Sequence, residues 1–406
     1  MKSDLFTAPV QVAVALAVAA IPLLMTATDA WQALYGGGIL AITVVAVMAL
    51  PWHLTLTEGL RVFGMLLVLI VPIVTSILVN QPESSHAENI VVLACYAVLA
   101  SVMFSEPRDR SFSRFFLLVA VTQGVAALVT LNILLVDSDN FFELFDRGTS
   151  RMAFEFEDSM HPNFIGLICV VMVFATLGIE RAIWRAVILA LGLVLCTAVS
   201  SRSGLLGVIS AYASAELFRF IASERRHRFS TIAAYAGIAV LLLSGILLYS
   251  FHPADIVDFI LDKVLLINDD ERGLGTGATG RLEIWQAAFD LWLDHPLVGV
   301  GYQQSSAYIG FGLYAHNMIL VILGDLGLFG LAGFLLFSVM AAWNARALWR
   351  SGQRLTATYV TTMLIVYFIY GVFEGRAVNA GNPLSAAFFL VTFASCGVHR
   401  RLPGVP

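Results

Sequence analysis

The sequence predicts an all-α polytopic membrane protein with about twelve transmembrane helices and a large late external loop. Of its 406 residues, 59% are hydrophobic and only 13% are charged, whereas soluble domains are nearer one half apolar and about one quarter charged. The apolar residues fall in runs of roughly 18 to 25, long enough to cross a hydrocarbon core of about 30 Å as helices. Barrel strands are about half that length and alternate in polarity, so a β-barrel does not fit.

The apolar runs divide the chain into three groups of helices separated by two large loops. Helices one to five are expected within residues 1–136, helices six to nine within 163–251 and helices ten to twelve within 316–406. The loops are 137–162 and 252–315. The predicted spans are approximately 9–27, 33–50, 61–79, 89–104, 113–136, 163–180, 184–199, 204–221, 230–251, 316–343, 356–373 and 383–398. The first run lacks a small-residue cleavage site, which indicates a retained span rather than a signal peptide.

The loop charges predict the orientation of the chain. An even number of spans puts both termini on one side, and with this topology most of the 23 Lys and Arg residues fall on that side. Basic residues accumulate in cytoplasmic loops, so both termini are expected in the cytoplasm and both large loops outside. The few basic residues left outside are Arg147, Arg151, Arg202, Lys263, Arg272, Arg281 and Arg376. An arginine at a membrane boundary is costly unless it pairs or binds an anion, so each is a candidate site.

Arg202 lies in a short polar hairpin, Ser200 to Gly204, between the seventh and eighth predicted spans. A guanidinium held there by short tethers suits the oxygens of a lipid-linked phosphate. The alternative is that the Arg202 side chain extends to the headgroups of ordinary membrane lipids and binds no substrate. The flanking Ser201 and Ser203 are candidate substrate-binding residues.

Arg281 is expected in the first turn of an amphipathic helix inside the late loop. Leu282, Trp285, Phe289, Trp292 and Leu293 recur at spacings of three and four after a Gly-rich break, which predicts a helix lying along the membrane interface. Free N–H groups at its start favour an anion such as a diphosphate. A salt bridge to a nearby carboxylate is the alternative. No Walker P-loop is present, which argues against nucleotide binding.

The segment from Pro296 to Tyr302 carries Gly299 and Gly301, which permit close approach of the backbone to a ligand or to a neighbouring helix. Both glycines and Tyr302 are candidate substrate-binding residues. A plain turn before the next helix is the alternative.

His316 and Asn317 open the tenth predicted span on the external side. A near-neutral imidazole can take a proton from a hydroxyl group, and Asn317 would orient it or the substrate. A satisfied interfacial histidine is the alternative. The histidines lack HxxxH or HExxH spacing and the four cysteines lie in apolar runs, so no metal site or disulfide is expected.

A second tier of external polar residues completes the candidate set: Arg151, His161 with Pro162 and Asn163, and Glu374 with Arg376. The alternatives are structural. Glu374 and Arg376 can form a salt bridge, and the His-Pro-Asn element can cap the sixth span.

Five motifs occur in order: SSRSG at 200–204, TGRLEIW at 279–285, HPLVGVGY at 295–302, AHN at 315–317 and GDLGLFG at 324–330. This set resembles the O-antigen ligase and polymerase superfamily of bacterial envelopes. The likeness covers roughly residues 195–335 by motif and the whole chain by topology. Members usually carry Glu where this chain has Asp325. The resemblance implies a multi-pass protein of the bacterial inner membrane with its site on the periplasmic face.

The resemblance also implies a metal-independent glycosyltransferase that needs no cofactor and takes its glycan from undecaprenyl diphosphate. Arg202 and Arg281 would hold the diphosphate, and His316 would act as general base on the acceptor hydroxyl, with inversion at the anomeric carbon. The motif forms look most like polymerases that join lipid-linked repeat units of exopolysaccharide or O-antigen. A ligase that attaches polymer to lipid A–core is the alternative acceptor assignment, and a transporter of lipid-linked glycan is a further alternative. The expected partners are donor, acceptor and bilayer, with no nucleic acid.

Overall fold

The computed structural model describes residues 9–20, 31–49, 55–81, 88–104, 108–136, 162–199, 201–222, 281–309, 315–375 and 379–396. In these ranges the regular structure is helical. The helices are α1 (Pro9–Ala20), α2 (Trp31–Ala49), α3 (Leu56–Asn80), α4 (Glu88–Met103), α5 (Arg108–Val136), α6 (Pro162–Ala175), α7 (Ala182–Ala198), α8 (Arg202–Ala222), α9 (Arg281–Asp294), α10 (Ser305–Tyr308), α11 (Met318–Arg350), α12 (Arg354–Gly371) and α13 (Pro383–Ala394). A 3-10 turn, Thr176–Gly178, follows α6.

Helices occupy each predicted span that falls within the described ranges. The ninth span, 230–251, lies outside them, as do residues 137–161 of the first loop and 252–280 of the second. Four described helices are long and apolar enough to cross a bilayer: Leu56–Asn80, Ser111–Asn132, Arg202–Ile221 and Met318–Arg350. The described part of the chain is therefore helical, with four helices able to cross a membrane. The count of twelve spans and the side of each loop stay predictions.

Helix α11 continues past the predicted end of its span at residue 343. Its last turns contain Ala, Leu and Arg, which favour helix, and no Gly or Pro occurs between Gly333 and Gly352. Gly352 has φ 84°, and its N–H donates to the carbonyl of Trp349 at 3.2 Å. The helix ends where a left-handed residue becomes available, because hydropathy sets the membrane boundary but not the helix boundary.

Small residues let the helices approach closely at the centre of the fold. Gly166 of α6 and Gly204 of α8 face each other: a β-carbon at Gly204 would lie 2.7 Å from the Gly166 Cα. A β-carbon at Gly207 would lie 2.8 Å from the ring of Tyr370, so α8 also packs directly on α12. Helices in a bilayer associate through such close van der Waals packing, because apolar burial alone gains little against lipid.

A buried ion pair joins α7 to α8 at the end away from the candidate site. Nε of Arg185 lies 2.6 Å from Oε1 of Glu216, and both side chains are at most 10% exposed. Arg185 also donates to the carbonyls of Ile179 and Glu180, and Arg219 donates to the carbonyls of Thr176 and Leu177 in the 3-10 turn and of Ile179 after it. These arginines satisfy a helix C-terminus that lacks intrahelical partners.

Candidate functional site

His316 faces a buried carboxylate at the start of α11. Its Nδ1 lies 3.7 Å from Oε1 of Glu374, which is 4% exposed and follows α12. This distance is within ion-pair range but too long for a hydrogen bond. His316 has φ 46°, a left-handed conformation that is uncommon for a residue with a side chain. Such conformations persist only where the surroundings enforce them, so the turn fixes the backbone that carries the imidazole.

Asn317 has a structural role that the sequence did not predict. Its side-chain oxygen accepts from the backbone N–H groups of Ile319 and Leu320, which caps α11. Its Nδ2 donates to the carbonyl of Val372 at 3.2 Å. Asn317 therefore ties the start of α11 to the end of α12. Among the described side chains, Glu374 rather than Asn317 faces the imidazole of His316.

Helix α9 packs beside His316 with one of its faces. Ile284 and Ala288 are buried against the start of α11 together with Ala315. Nε1 of Trp285 donates to the carbonyl of Ala315 at 2.6 Å, one residue before His316. The described part of α9 starts at Arg281, one turn before this hydrogen bond. The N-terminal turn of α9 is therefore held close to the histidine.

The other apolar face of α9 points outward. Phe289 is 41% exposed and Leu293 is 55% exposed. Of the predicted stripe, Trp285 packs on the protein, whereas Phe289 and Leu293 lie off the packing face. This leaves the exposed stripe available to a membrane surface, as an interfacial helix requires.

Arg202 is the first residue of α8. Ser201, buried, accepts the N–H of Gly204 and so caps this helix. Ser203 is also buried, and its hydroxyl has no hydrogen-bond partner in the described part of the chain. The predicted hairpin therefore forms a helix N-terminus that carries one arginine and two buried hydroxyls.

Contacts between helix ends bring the starts of α8 and α11 to one end of the bundle. Gly207, just inside α8, packs on Tyr370, and the neighbouring Gly371 packs on Met318 at the start of α11. Arg202 lies at the start of α8, His316 just before α11 and Glu374 just after α12, so all three are at this end of the bundle. A small cavity of about 10 Å³, room for about one water molecule, lies next to Glu374. It is lined by Leu167, Met318, Tyr367, Tyr370, Gly371, Glu374, Asn382, Leu384 and Ser385, and neither Arg202 nor His316 lines it.

The glycines of the 296–302 segment contact a neighbouring helix. Helix α11 is interrupted at Gly327, whose backbone has φ 64° and ψ −163°. Val300 N–H donates to the carbonyl of Gly324 at 2.9 Å, and Gly301 N–H donates to that of Asp325 at 3.1 Å. In return, the carbonyls of 296 and 297 accept the N–H groups of 328 and 329. The segment therefore supplies the backbone hydrogen bonds that the interrupted helix lacks.

Side chains from other elements complete this pairing. Ser76 of α3 lies with its hydroxyl 2.8 Å from the carbonyls of both Val298 and Asp325. Asn80, one turn later, donates to the carbonyl of Gly299 at 3.1 Å. Oδ1 of Asp325 accepts the backbone N–H of Ser305 at 2.8 Å. The break in α11 is thus hydrogen-bonded to α3, to residues 296–301 and to Ser305.

Tyr302 is buried beside this pairing, where Nε2 of Gln303 donates to its hydroxyl at 3.1 Å. Burial raises the pKa of the Tyr302 hydroxyl, so it stays protonated near neutral pH. Gly299, Gly301 and Tyr302 were candidate substrate-binding residues. Their contacts favour the packing alternative, in which the close approach is to a helix.

Several candidates lie outside the described residues. These are Arg151, His161 and Arg376, and Ser200 of the hairpin. For Asn163 the backbone belongs to the first turn of α6, and the side chain is not described. In the parts of the chain that are described, no group of three His, Cys, Asp or Glu side chains is placed to hold a metal ion.

The position of Glu374 beside His316 does not follow from the sequence. Glu374 was considered as a partner of Arg376, its neighbour in the chain. The only sequence signal was a carboxylate at the end of an apolar run, a costly place for a charge without a partner. Its position beside His316 depends on how α11 and α12 pack.

One family model matches the chain. Its description is O-antigen ligase, and it covers residues 186–335. The matched region contains α8, α9, His316 and the interrupted part of α11. No curated protein sequence matches the chain.

Proposed function

We propose that this chain, which matches the O-antigen ligase family model over residues 186–335, belongs to that superfamily and polymerises lipid-linked glycan on the outer face of a bacterial inner membrane. The glycan would leave undecaprenyl diphosphate and join a hydroxyl group of another lipid-linked repeat unit. The family supports glycosyl transfer of the ligase or polymerase type.

The observation that carries the proposal is the pairing of His316 with Glu374. The carboxylate faces Nδ1 at 3.7 Å, which leaves Nε2 as the nitrogen for the acceptor hydroxyl. When that hydroxyl attacks, the imidazole takes its proton and becomes a cation. A buried carboxylate close by stabilises this cation, because the charges interact strongly away from water.

Two arginines at helix starts would hold the donor. Arg202 begins α8 and Arg281 begins α9. Helix N-termini favour anions through free N–H groups and the helix dipole, and a guanidinium adds paired donors for phosphate oxygens. The charge that develops on the departing diphosphate would be stabilised there.

The proposed step balances without a metal or a redox partner. The acceptor oxygen forms a bond to the anomeric carbon as the bond from that carbon to the diphosphate oxygen breaks. The acceptor proton passes to His316, and undecaprenyl diphosphate leaves as the anion. Attack from the face opposite the diphosphate inverts the anomeric configuration in one displacement.

A ligase is the second candidate, favoured by the description of the matching family model. Both reactions use the same donor and differ in acceptor. Glycan analysis of a deletion strain separates them. Loss of long polymer with single repeats still attached indicates a polymerase, whereas accumulation of undelivered lipid-linked polymer indicates a ligase.

The test measures glycan transfer by purified variants supplied with a lipid-diphosphate-linked glycan and the matching acceptor. His316→Ala is expected to lose roughly 10²- to 10⁴-fold in rate, the usual contribution of proton transfer. Glu374→Gln is expected to lower kcat more than it changes KM. The matched control is Glu180→Gln, an exposed carboxylate near the start of α7. Wild-type rates for folded His316→Ala would refute the role of the histidine.

The arginines are tested separately with the same assay. Arg202→Ala and Arg281→Ala are each expected to abolish transfer while the protein still accumulates in the membrane. Movement of labelled lipid-linked glycan across vesicles, with no change in glycan length, would instead support a transporter.

A further inference from the structure

A groove lies at the end of α11 away from His316. It has a volume of about 490 Å³ and is bounded by α8, α11 and α12. Phe218 and Ile221 of α8 form one wall, Leu364 lies on the α12 side, and the small side chains of Ala342 and Ala345 leave the space open. This volume is within the range of ligand pockets, about 300 to 1,000 Å³.

Two cations stand at the edge of this groove. Arg346 and Arg350 line it one helical turn apart, and both are exposed. Neither has an acidic partner among the residues that the structure describes. Like charges at this spacing repel each other, so an anion between them would be stabilising.

The position along α11 places these cations at headgroup depth. The uninterrupted part of the helix, from Leu328 to Arg346, extends about 27 Å at 1.5 Å per residue, close to the hydrocarbon thickness of about 30 Å, and the turns before Gly327 add to this length. Trp349 lines the same groove, and tryptophan is enriched at membrane interfaces. In a bilayer the apolar walls at this position would meet acyl chains, and the guanidinium groups would meet lipid phosphates.

We propose that this groove binds one anionic phospholipid, with its phosphate between Arg346 and Arg350 and an acyl chain along Phe218 and Ile221. Charge complementarity selects the anionic headgroup, since a zwitterionic lipid offers the cations no net charge. The groove is separate from the His316 site. The inference stands whether the transferase proposal succeeds or fails.

The experiment compares thermal unfolding of the purified full-length chain in detergent with added phosphatidylglycerol, phosphatidylcholine or inorganic phosphate. Phosphatidylglycerol is expected to raise the unfolding midpoint more than the other two. Arg346→Gln with Arg350→Gln should remove most of that rise. The control removes two other exposed arginines, Arg61→Gln with Arg114→Gln, and should keep it.

A second pair of variants tests the apolar part of the groove. Ala342→Phe fills the groove from an exposed position and should also remove the rise, whereas Val339→Phe, on an exposed part of the same helix outside the groove, should not. The proposal is overturned if the double arginine variant responds to phosphatidylglycerol like its control. It is also overturned if phosphatidylcholine or inorganic phosphate produces the same rise.

Discussion

Gly299 and Asp325 pack backbone against backbone. A β-carbon at Gly299 would lie 2.3 Å from the carbonyl carbon of Asp325 and 2.5 Å from its oxygen. Gly299 also has φ 65°, which side-chain-bearing residues rarely adopt. This contact holds the late loop to the interrupted helix that begins next to His316.

Gly299→Ala is therefore expected to destabilise the protein strongly. The left-handed backbone alone costs an alanine roughly 1–2 kcal/mol, and the clash with Asp325 adds to it. The control is Gly352→Ala, where φ is 84° but no atom lies within 4 Å of the new β-carbon. Thermal unfolding in detergent should show a larger loss for Gly299→Ala. Equal losses would show that the contact with α11 adds nothing.

Ser76→Ala is expected to cost about 1–3 kcal/mol of stability, because it leaves buried acceptors with fewer donors. The hydroxyl is shared between the carbonyls of Val298 and Asp325, and Ser76 is fully buried. Ser210→Ala is the control, since that hydroxyl bonds only within its own helix, to Leu206. Chemical or thermal unfolding measures both. If Ser76→Ala costs no more stability than Ser210→Ala, the Ser76 hydroxyl does not stabilise the break in α11.

Glu216→Gln should destabilise the opposite end of the bundle. It leaves the Arg185 cation buried without its carboxylate, and loss of one partner of a buried pair typically costs about 3–5 kcal/mol. Adding Arg185→Met should recover part of that loss, because the stranded charge is removed as well. A double-mutant cycle of unfolding free energies measures the coupling. Additive effects would contradict the ion pair.

Much of the helical architecture could be predicted from the sequence, because its signals are local. Length and hydropathy identify an apolar helix without knowledge of its neighbours. The helix from Arg281 followed from its periodicity and the glycines before it. The continuation of α11 to Arg350 could not be predicted from hydropathy. Hydropathy indicates where the membrane ends, whereas helix propensity decides where the helix ends.

The pairings within the site could not be predicted in the same way. Glu374 was considered with Arg376, two residues away, because sequence reasoning pairs charges that are near in the chain. The structure instead puts its carboxylate beside His316, through the packing of α12 on α11. Likewise, GDLG at 324–327 looks like part of a continuous span. The backbone angles of Gly327 show that the helix is interrupted there, and the hydrogen bonds from 296–301 show that the loop pairs with the break.

Trp285→Phe tests whether α9 positions the histidine. The change removes the N–H that donates to the Ala315 carbonyl at 2.6 Å and keeps most of the ring packing. Because Ala315 precedes His316, we expect kcat for glycan transfer to fall while the unfolding temperature changes little. Trp292→Phe is the matched control: its longer bond, 3.3 Å to the Pro296 carbonyl, is exposed. A fall in kcat with both variants alike would mean that α9 acts through general packing rather than through this hydrogen bond.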